Sequence, residues 1–257
     1  MSDYDNGARR ARLRLGAVVL GLAVVVGGLG ALALALLGTD GPKSGAAASA
    51  PATSAEPSRP AASTVQVVMT PEKAEKVTLD APTGQKDGVS TGFAHTAKGA
   101  LSAAVYFWEE YAFLDDSKAR QQLKAVVAGG SGDLVDRRIS DVRKIREAAG
   151  LPPSGGTPAG ISFATSVNAA RLRSLDAKGD AVQVWLNYDR YATKSDGGAD
   201  ESPFRDEDTD LVLQWQKGAW RMADDSAFRA GLSYPVAYAP TSTHAWADGW
   251  VQVHHDD

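Results

Sequence analysis

An uncharged stretch near the N-terminus places the strongest constraint on how this chain folds. The run from Leu15 to Leu37 has no charged residue and contains thirteen leucine or valine residues. As a helix it would be about 34 Å long, because each residue adds about 1.5 Å, and this length crosses the hydrocarbon core of a bilayer. The sequence therefore predicts a transmembrane helix at residues 15–37.

The charges on either side of the run predict its orientation. Four arginines precede it, and the first charge after it is Asp40. Because basic residues favour the cytoplasmic side, residues 1–14 are predicted to be a cytoplasmic tail of a single-pass protein of the cell membrane, with the remainder extracytoplasmic. The alternative is a cleaved signal peptide, whose apolar core is usually shorter, at about 7 to 15 residues. The four arginines that precede the uncharged run are Arg9, Arg10, Arg12 and Arg14.

The composition changes twice before the predicted folded domain begins. Residues 38–64 are mostly Gly, Ala, Ser, Thr and Pro, and such a segment buries too little apolar surface to become ordered. It is predicted to be a disordered linker. Residues 65–89 contain the strand-like stretches VQVVM and KVTL, separated by Pro71. They either pair on an edge of the domain or lie extended across its surface, and this segment is left unassigned.

Three helices are predicted next. The stretch Gly92–Leu114 is apolar almost all the way round at helical spacing, so this helix must be covered by other elements. Thr96 is its expected N-cap, and its end is expected near Asp115 and Asp116. The second helix is expected at Ser117–Ala128. The third is capped by Ser131 or Asp133 and stops at Gly150, which two prolines follow closely.

After Gly160 the apolar period changes from helical to alternating, which predicts strands. The first runs from Ile161 to Leu172, with a bulge, and the second carries Val182 to Tyr188. A polar loop is expected at Ser195–Asp208. Beyond it a hairpin turns at Lys217-Gly218, which places Trp215 opposite Trp220. Four antiparallel strands with one buried face, packed on helices, predict an α+β domain at residues 90–225.

This order of elements resembles a known superfamily. Three helices followed by a meander that ends in the hairpin WQKGAWRM are similar to the cone-shaped fold of the nuclear-transport-factor-2 superfamily. The anchor and the outer domain also resemble the VirB8-type subunits of type IV secretion. The segment GVSTGFAHTAKGALSAAVYF resembles a motif of uncharacterised actinobacterial single-pass proteins associated with conjugation-like genes. The matching positions are Gly92, Phe93, His95, Thr96, Gly99, Ala100, Ala103 and Ala104. This resemblance implies a fold and a setting, and no catalytic residues.

Candidate catalytic residues carry weak signals. His95 precedes the helix cap, where a ligand or proton-switch role competes with a bond to a nearby backbone group that fixes the start of the helix. Glu109 and Glu110 lie in an apolar helix, and one of them would be a general base if it were buried. No partner for either is identifiable at a defined spacing, so an exposed or cap-pairing glutamate is favoured.

Candidate metal ligands are equally weak. The acidic stretch Asp206–Asp210 lacks the glycine and the glutamate that a calcium loop requires at its sixth and twelfth positions. His254 and His255 are adjacent residues next to two aspartates, which makes a poor chelate. The sequence shows no nucleophile elbow and no phosphate loop. It therefore predicts neither an enzyme, nor a metal site, nor a cofactor.

Two regions of the chain are candidates for binding other proteins, and each also has an explanation that involves no partner. The exposed face of the third helix carries a basic cluster that is either a partner-binding face or a solvated surface. Residues 226–257 form a C-terminal extension rich in aromatic residues, which either folds back on the sheet and closes the cone or offers a docking strip. The basic cluster comprises Arg137, Arg138, Arg143, Lys144 and Arg146.

These features favour a non-catalytic role. We expect a membrane-anchored structural or interaction subunit of an envelope complex for conjugative transfer or type IV-like secretion, with protein partners and homo-oligomer formation. A net charge of −4 gives no reason to expect nucleic acid binding. The alternative is an anchored ligand-binding or enzymatic domain that uses the cavity of the cone. The residues expected to have a structural role are Gly92, His95, Thr96, Gly99, Trp215 and Trp220.

Overall fold

The computed structural model describes residues 70–195, 200 and 203–255, and within them the predicted α+β class is confirmed. The tail at 1–14, the transmembrane helix at 15–37, the linker at 38–64 and the stretch VQVVM lie outside these residues. In the described ranges no helix is both long enough and apolar enough to span a membrane. The likeness to the cone-shaped superfamily stays a prediction.

Six of eight strands form the main sheet. The strands are β1 (Lys76–Thr78), β2 (Gly84–Lys86), β3 (Val89–Thr91), β4 (Ile161–Ser174), β5 (Ala181–Lys194), β6 (Phe204–Gln216), β7 (Ala219–Met222) and β8 (Val251–His254). The sheet order is β1-β8-β4-β5-β6-β7, while β2 and β3 pair separately. All neighbours are antiparallel except β1 and β8. Because β1 and β8 join the sheet, the folded unit extends beyond 90–225 at both ends.

Three of the four α-helices cover one face of this sheet, and the short fourth helix packs near Ala169 and Trp185 with the C-terminal segment. The helices are α1 (Ala97–Glu110), α2 (Asp116–Val126), α3 (Leu134–Ala148) and the short α4 (Thr243–Ala247), with two 3-10 helices at Pro71–Lys73 and Asp225–Gly231. The apolar side of α1 packs on β4, β5 and β6, as its composition requires. The core between them contains Leu101, Val105, Trp108, Val184, Leu186 and Leu211, among others.

The helix α1 starts where the sequence predicts and ends earlier. Thr96 is the N-cap, and its hydroxyl oxygen accepts from the N–H of Gly99 at 2.9 Å. The end was expected near Asp115 but lies at Glu110. The cause is Gln122, a fully buried side chain of α2. Its amide donates to the carbonyl of Glu110 and accepts from the N–H of Ala112, so it satisfies the terminal backbone groups of α1.

The predicted hairpin and bulge are both confirmed. Trp215 pairs with Trp220 across β6 and β7, and their ring centroids lie 5.4 Å apart in an edge-on arrangement. Lys217 and Gly218 between them have φ values of 52° and 78°, which is the backbone that a two-residue hairpin turn requires. In β4, the register against β5 shifts between Val167 and Ala169.

The expected polar loop at Ser195–Asp208 is wrong in its second half, since β6 already begins at Phe204. The acidic residues of this region can lie in a strand because neighbouring residues supply hydrogen-bond donors. Asn187 donates to Asp208 at 3.0 Å, and Gln183 donates to Asp210 at 2.8 Å. Alternation of apolar residues alone could not reveal these cross-strand pairs.

The sheet is buried on both faces over its centre, whereas one buried face was expected. Gln183 and Asn187 point away from the helices and are nevertheless buried. The C-terminal segment covers this second face: the N–H of Ser233 donates to Gln183, and the indole of Trp185 donates to the carbonyl of Ser233. Of the two alternatives for the C-terminal aromatic residues, folding back on the sheet describes Trp250, which is fully buried, whereas Tyr234 is 85% exposed.

The predicted exposed face of α3 is wrong at one residue. Arg146 was placed on its exposed basic face but is only 3% exposed. Its guanidinium donates to the carbonyl oxygens of Leu114, Pro152 and Gly156. Arg146 therefore joins the loop after α1 to the loop that leads into β4.

Replacing Arg146 with alanine should destabilise the domain substantially. Three carbonyl groups would lose a charged donor, and a loss of about 3 kcal/mol in the free energy of unfolding is expected. Lys144→Ala on the same helix should cost less than about 0.5 kcal/mol, because this lysine is exposed. Urea denaturation followed by tryptophan fluorescence measures both. Equal effects of the two substitutions would contradict the assigned role of Arg146.

Candidate functional site

The motif residues at the start of α1 meet the Trp215–Trp220 hairpin. The imidazole of His95 stacks on Trp215, with ring centroids 4.3 Å apart and planes within 5°, and meets Trp220 edge-on. Its Nε2 lies 2.9 Å from a carboxylate oxygen of Asp180. His95 therefore has a carboxylate partner rather than the expected backbone partner. Asp180 belongs to the turn between β4 and β5, and no sequence spacing could have paired it with His95.

Two positions of the motif require glycine because other atoms lie too close to the backbone for a side chain. Gly92 has a φ of 83°, and a Cβ there would stand 2.0 Å from the hydroxyl of Thr83. A Cβ on Gly99 would stand 2.1 Å from the carbonyl oxygen of Ala94. The same carbonyl accepts from the indole N–H of Trp220 at 2.8 Å. The motif therefore fixes how the chain enters α1 against the hairpin, which is the structural role expected for it.

Replacing Gly99 with alanine should destabilise the domain although alanine favours helices. The added Cβ must displace the carbonyl of Ala94 and break its bond to Trp220, at a net cost of about 1–2 kcal/mol after a helix-propensity gain of about 1 kcal/mol. Trp220→Phe should cost about 1 kcal/mol by removing the same bond. The double variant should lose less than the sum, because both changes break one contact. Additive losses in urea denaturation would show that the two residues act separately.

A cavity of about 320 Å³ opens beside this cluster, between the β2–β3 hairpin and β7. More than half of its lining residues are apolar, and Phe93, Phe107 and Met222 among them are buried in the core. Three basic residues also line it: Lys86, Lys217 and Arg221. The size is within the range of small-molecule sites in proteins. Sequence reasoning missed this cavity because its walls come from six separate elements.

The two glutamates of α1 both have partners. Glu110 accepts from the N–H and the hydroxyl of Ser90, at 2.7 and 2.6 Å. Glu109 accepts from the N–H of Val167 at 2.9 Å, and its other oxygen lies 3.0 Å from Nε2 of His255. Burial raises the pKa of Glu109, and the bond from Val167 and the nearby His255 oppose that shift. The expectation of an exposed or cap-pairing glutamate is wrong for Glu109, whose side chain is 16% exposed and which the fold brings to His255.

The stability of the protein should depend on the pH through Glu109. Its native pKa is raised above the ordinary value of 4.5. Its contribution is therefore fully present below that value and is lost as the pH rises through the native pKa. The variant Glu109→Gln does not titrate. The free energy of unfolding of the variant minus that of the wild type should increase as the pH rises above 4.5. A decrease over this range in urea denaturation would contradict the raised pKa.

A buried cation lies near the other end of α1. Arg190 is 7% exposed, and its guanidinium carbon lies 3.7 Å from the ring centroid of Phe113 and within 5.5 Å of those of Trp108 and Tyr188. Its Nε donates to the hydroxyl of Thr165 at 2.9 Å. Burial lowers the pKa of Arg190 to about 10 and raises that of Tyr111 to about 12. The rings stabilise the charge through cation–π contacts, which makes Arg190 a structural residue.

The basic face of α3 is largely engaged within the domain. Arg137 pairs with Asp133 and Asp224, Arg143 with the buried Asp116, and Lys144 with Asp141. Arg138 is half-buried, and Arg146 is buried. A role in binding a partner stays a prediction for this face, with four rather than five basic residues at the surface.

The acidic stretch and the terminal histidines do not come together as a metal site. Asp208 and Asp210 bond to amides of β5, while His255 contacts Glu109. Within the described residues no group of three or more His, Asp or Glu side chains is arranged to hold a metal ion. Comparisons with protein families, with curated proteins and with solved structures find no match for this chain.

Proposed function

We propose that this chain is a membrane-anchored structural subunit of an envelope complex, which assembles through a free edge of its sheet. The helix at 15–37 would hold it in the membrane, and the linker at 38–64 would let the domain reach a neighbour. The observation that carries the proposal is the unpaired half of β4. Strand β8 pairs with β4 only at Ala169 and Ala170. Among the described residues, no strand lies along the outer side of Ile161–Val167.

The direction of the backbone groups on this half-strand follows from its pairing. The N–H of Ser195 donates to the carbonyl of Gly160, so the backbone groups of residue 160 point inward, towards β5. Because the direction alternates along a strand, the backbone groups of residue 161 point outward, away from β5. The outward N–H of Val167 agrees with this alternation, because it donates to Glu109. The N–H of Ile161 is used by Pro158. Phe163 and Thr165 are left with outward N–H and C=O groups.

The edge lacks the features that usually prevent strand pairing. Exposed edges are normally protected by lysine, proline or a covering element. The segment from Ile161 to Asn168 contains no charged residue and no proline. The side chains on its exposed face are small: Ser162, Ala164 and Ser166.

A second copy of the chain is the partner that this edge fits best. Two identical strands can pair antiparallel about a twofold axis, and such pairing places no like charges opposite each other here. Anchoring both copies in one membrane raises their effective concentration, so a short strand pair suffices. By resemblance to the VirB8-type subunits, we place the complex in conjugative transfer or type IV-like secretion.

Site-specific crosslinking of the full chain in membranes tests the assembly. The natural sequence has no cysteine, so each introduced thiol is the only one. Cysteines at Ser162, Ala164 and Ser166 are tested singly and as pairwise mixtures of two single-cysteine copies, because in a twofold antiparallel pair a residue faces its own copy only at the centre. Under mild oxidation at least one of these combinations should give disulfide-linked dimers, since paired strands bring Cα atoms within about 5.5 Å. Ser140→Cys, exposed on α3, is the matched control and should remain monomeric. Dimers that form equally at Ser140, or at none of the edge positions, would contradict the proposal.

A charge placed on the edge should separate the copies without unfolding them. Ala164→Lys keeps the inward bonds to β5 and adds two like charges close together in a paired dimer. It should abolish the crosslink between copies with a cysteine at Ser162 and copies with a cysteine at Ser166, whereas Ser140→Lys should not. Unfolding temperatures of both variants should stay near that of the wild type. An unchanged crosslink in Ala164→Lys would argue against strand pairing.

A further inference from the structure

The cavity between the β2–β3 hairpin and β7 supports an inference that does not depend on the proposed assembly. Its floor is built from buried residues on four elements or their flanks: Phe93, Phe107, Leu213 and Met222. Close packing leaves few voids of this size inside a small domain. A volume of about 320 Å³ corresponds to about ten water-sized volumes of about 30 Å³ each.

The charge on the walls has one sign. Lys86, Lys217 and Arg221 line the cavity, and no acidic side chain does. The chain as a whole carries a net charge of −4, so the positive lining runs against the overall balance. Glu110 contacts the lining residue Ser90, but both of its carboxylate oxygens already accept hydrogen bonds from Ser90.

Local structure holds the basic residues at the cavity. Lys217 has a φ of 52° in the tight turn between β6 and β7, and Lys86 ends β2 directly before the turn at Asp87-Gly88. Arg221 is half-buried and donates to the carbonyl of Ala125. The three cations therefore stand on two hairpins and on the edge strand that frame the cavity.

We propose that this cavity binds an amphipathic organic anion, with a single carboxylate or phosphate group among the three cations and an apolar body of about ten heavy atoms against the floor. Binding is favoured because the apolar body of the ligand displaces water from the apolar part of the walls, while the three basic residues select a negatively charged ligand. A free fatty acid and a phosphate-bearing lipid fragment share this chemistry, and the test distinguishes them.

Photolabelling of the full chain in membranes tests the proposal. The probes are a ten-carbon carboxylic acid, the matching alkyl phosphate and the matching alcohol, each carrying a diazirine in its chain. Mass spectrometry locates the labelled residues. The acid or the phosphate should label peptides that contain Phe93, Phe107 or Met222. Labelling by one anion and not by the other identifies the source of the ligand, and the neutral alcohol should label these peptides at least tenfold less.

A variant that lacks two of the basic residues distinguishes a probe bound in the cavity from a probe that has only partitioned into the membrane. The double variant Lys86→Gln with Lys217→Asn should reduce labelling by the anion about tenfold, because two ion-pairing groups are lost. Asparagine at 217 retains the turn, since it tolerates a positive φ. The double variant Lys178→Gln with Lys194→Gln, at two exposed lysines that do not line the cavity, should label as the wild type does.

A third variant addresses the volume itself. Ala103→Leu, at a half-buried lining residue, should fill part of the cavity and lower labelling without loss of thermal stability. The proposal is overturned if the alcohol labels the cavity as strongly as the anions, if the Lys86 and Lys217 variant labels as the wild type does, or if no probe labels these peptides.

Discussion

The difference in length between one helix and the strands it covers determines the rest of this structure. With 14 residues, α1 is about 21 Å long, whereas β4 and β5, also with 14 residues each, are about 46 Å long. The start of α1 lies at the β4–β5 turn, where His95 meets Asp180. Its end lies at Val167, which Glu109 contacts. The part of β4 from Ile161 to Ser166 therefore projects beyond the helix.

The remaining elements compensate for this difference where burial is needed. Gln122 terminates α1 with its side-chain amide, and Arg146 holds the two loops beyond it through carbonyl groups. Arg190 packs against Phe113 at the point where the helix has ended. On the opposite face, the C-terminal segment covers Gln183 and Trp185. The outer side of the projecting part of β4 is one place where the described residues supply no further strand; the first half of β6 is another, but it carries acidic residues.

Sequence reasoning succeeded where the signal is local. The cap at Thr96, the turn at Lys217-Gly218, the stop at Gly150 and the bulge in β4 all depend on residues a few positions apart, and backbone chemistry constrains such residues directly. Most of α3 and the Trp215–Trp220 pair were predicted for the same reason.

The errors concern contacts between residues far apart in the chain. The pairs His95–Asp180 and Glu109–His255 join residues separated by 85 and 146 positions, and no period or spacing encodes them. Arg146 lies four residues after the buried Val142 and seven after the buried Ile139, so helical spacing places it on the buried face of α3. Its charge suggested an exposed position, but carbonyl groups of loops on either side of α2 and α3 bind the guanidinium. The cavity was missed for a related reason, since Lys86, Lys217 and Arg221 come together only when two hairpins meet.

Amide hydrogen exchange on the full chain in membranes tests the central claim most directly. The outward amides of Phe163 and Thr165 should exchange slowly in the wild type, because a second copy bonds to them, and should exchange quickly in Ala164→Lys. The inward amides of Ser162 and Ala164 bond to β5 in either case and serve as the internal reference. Fast exchange at Phe163 and Thr165 in the wild type, with the reference amides protected, would contradict the claim that this edge is an assembly surface.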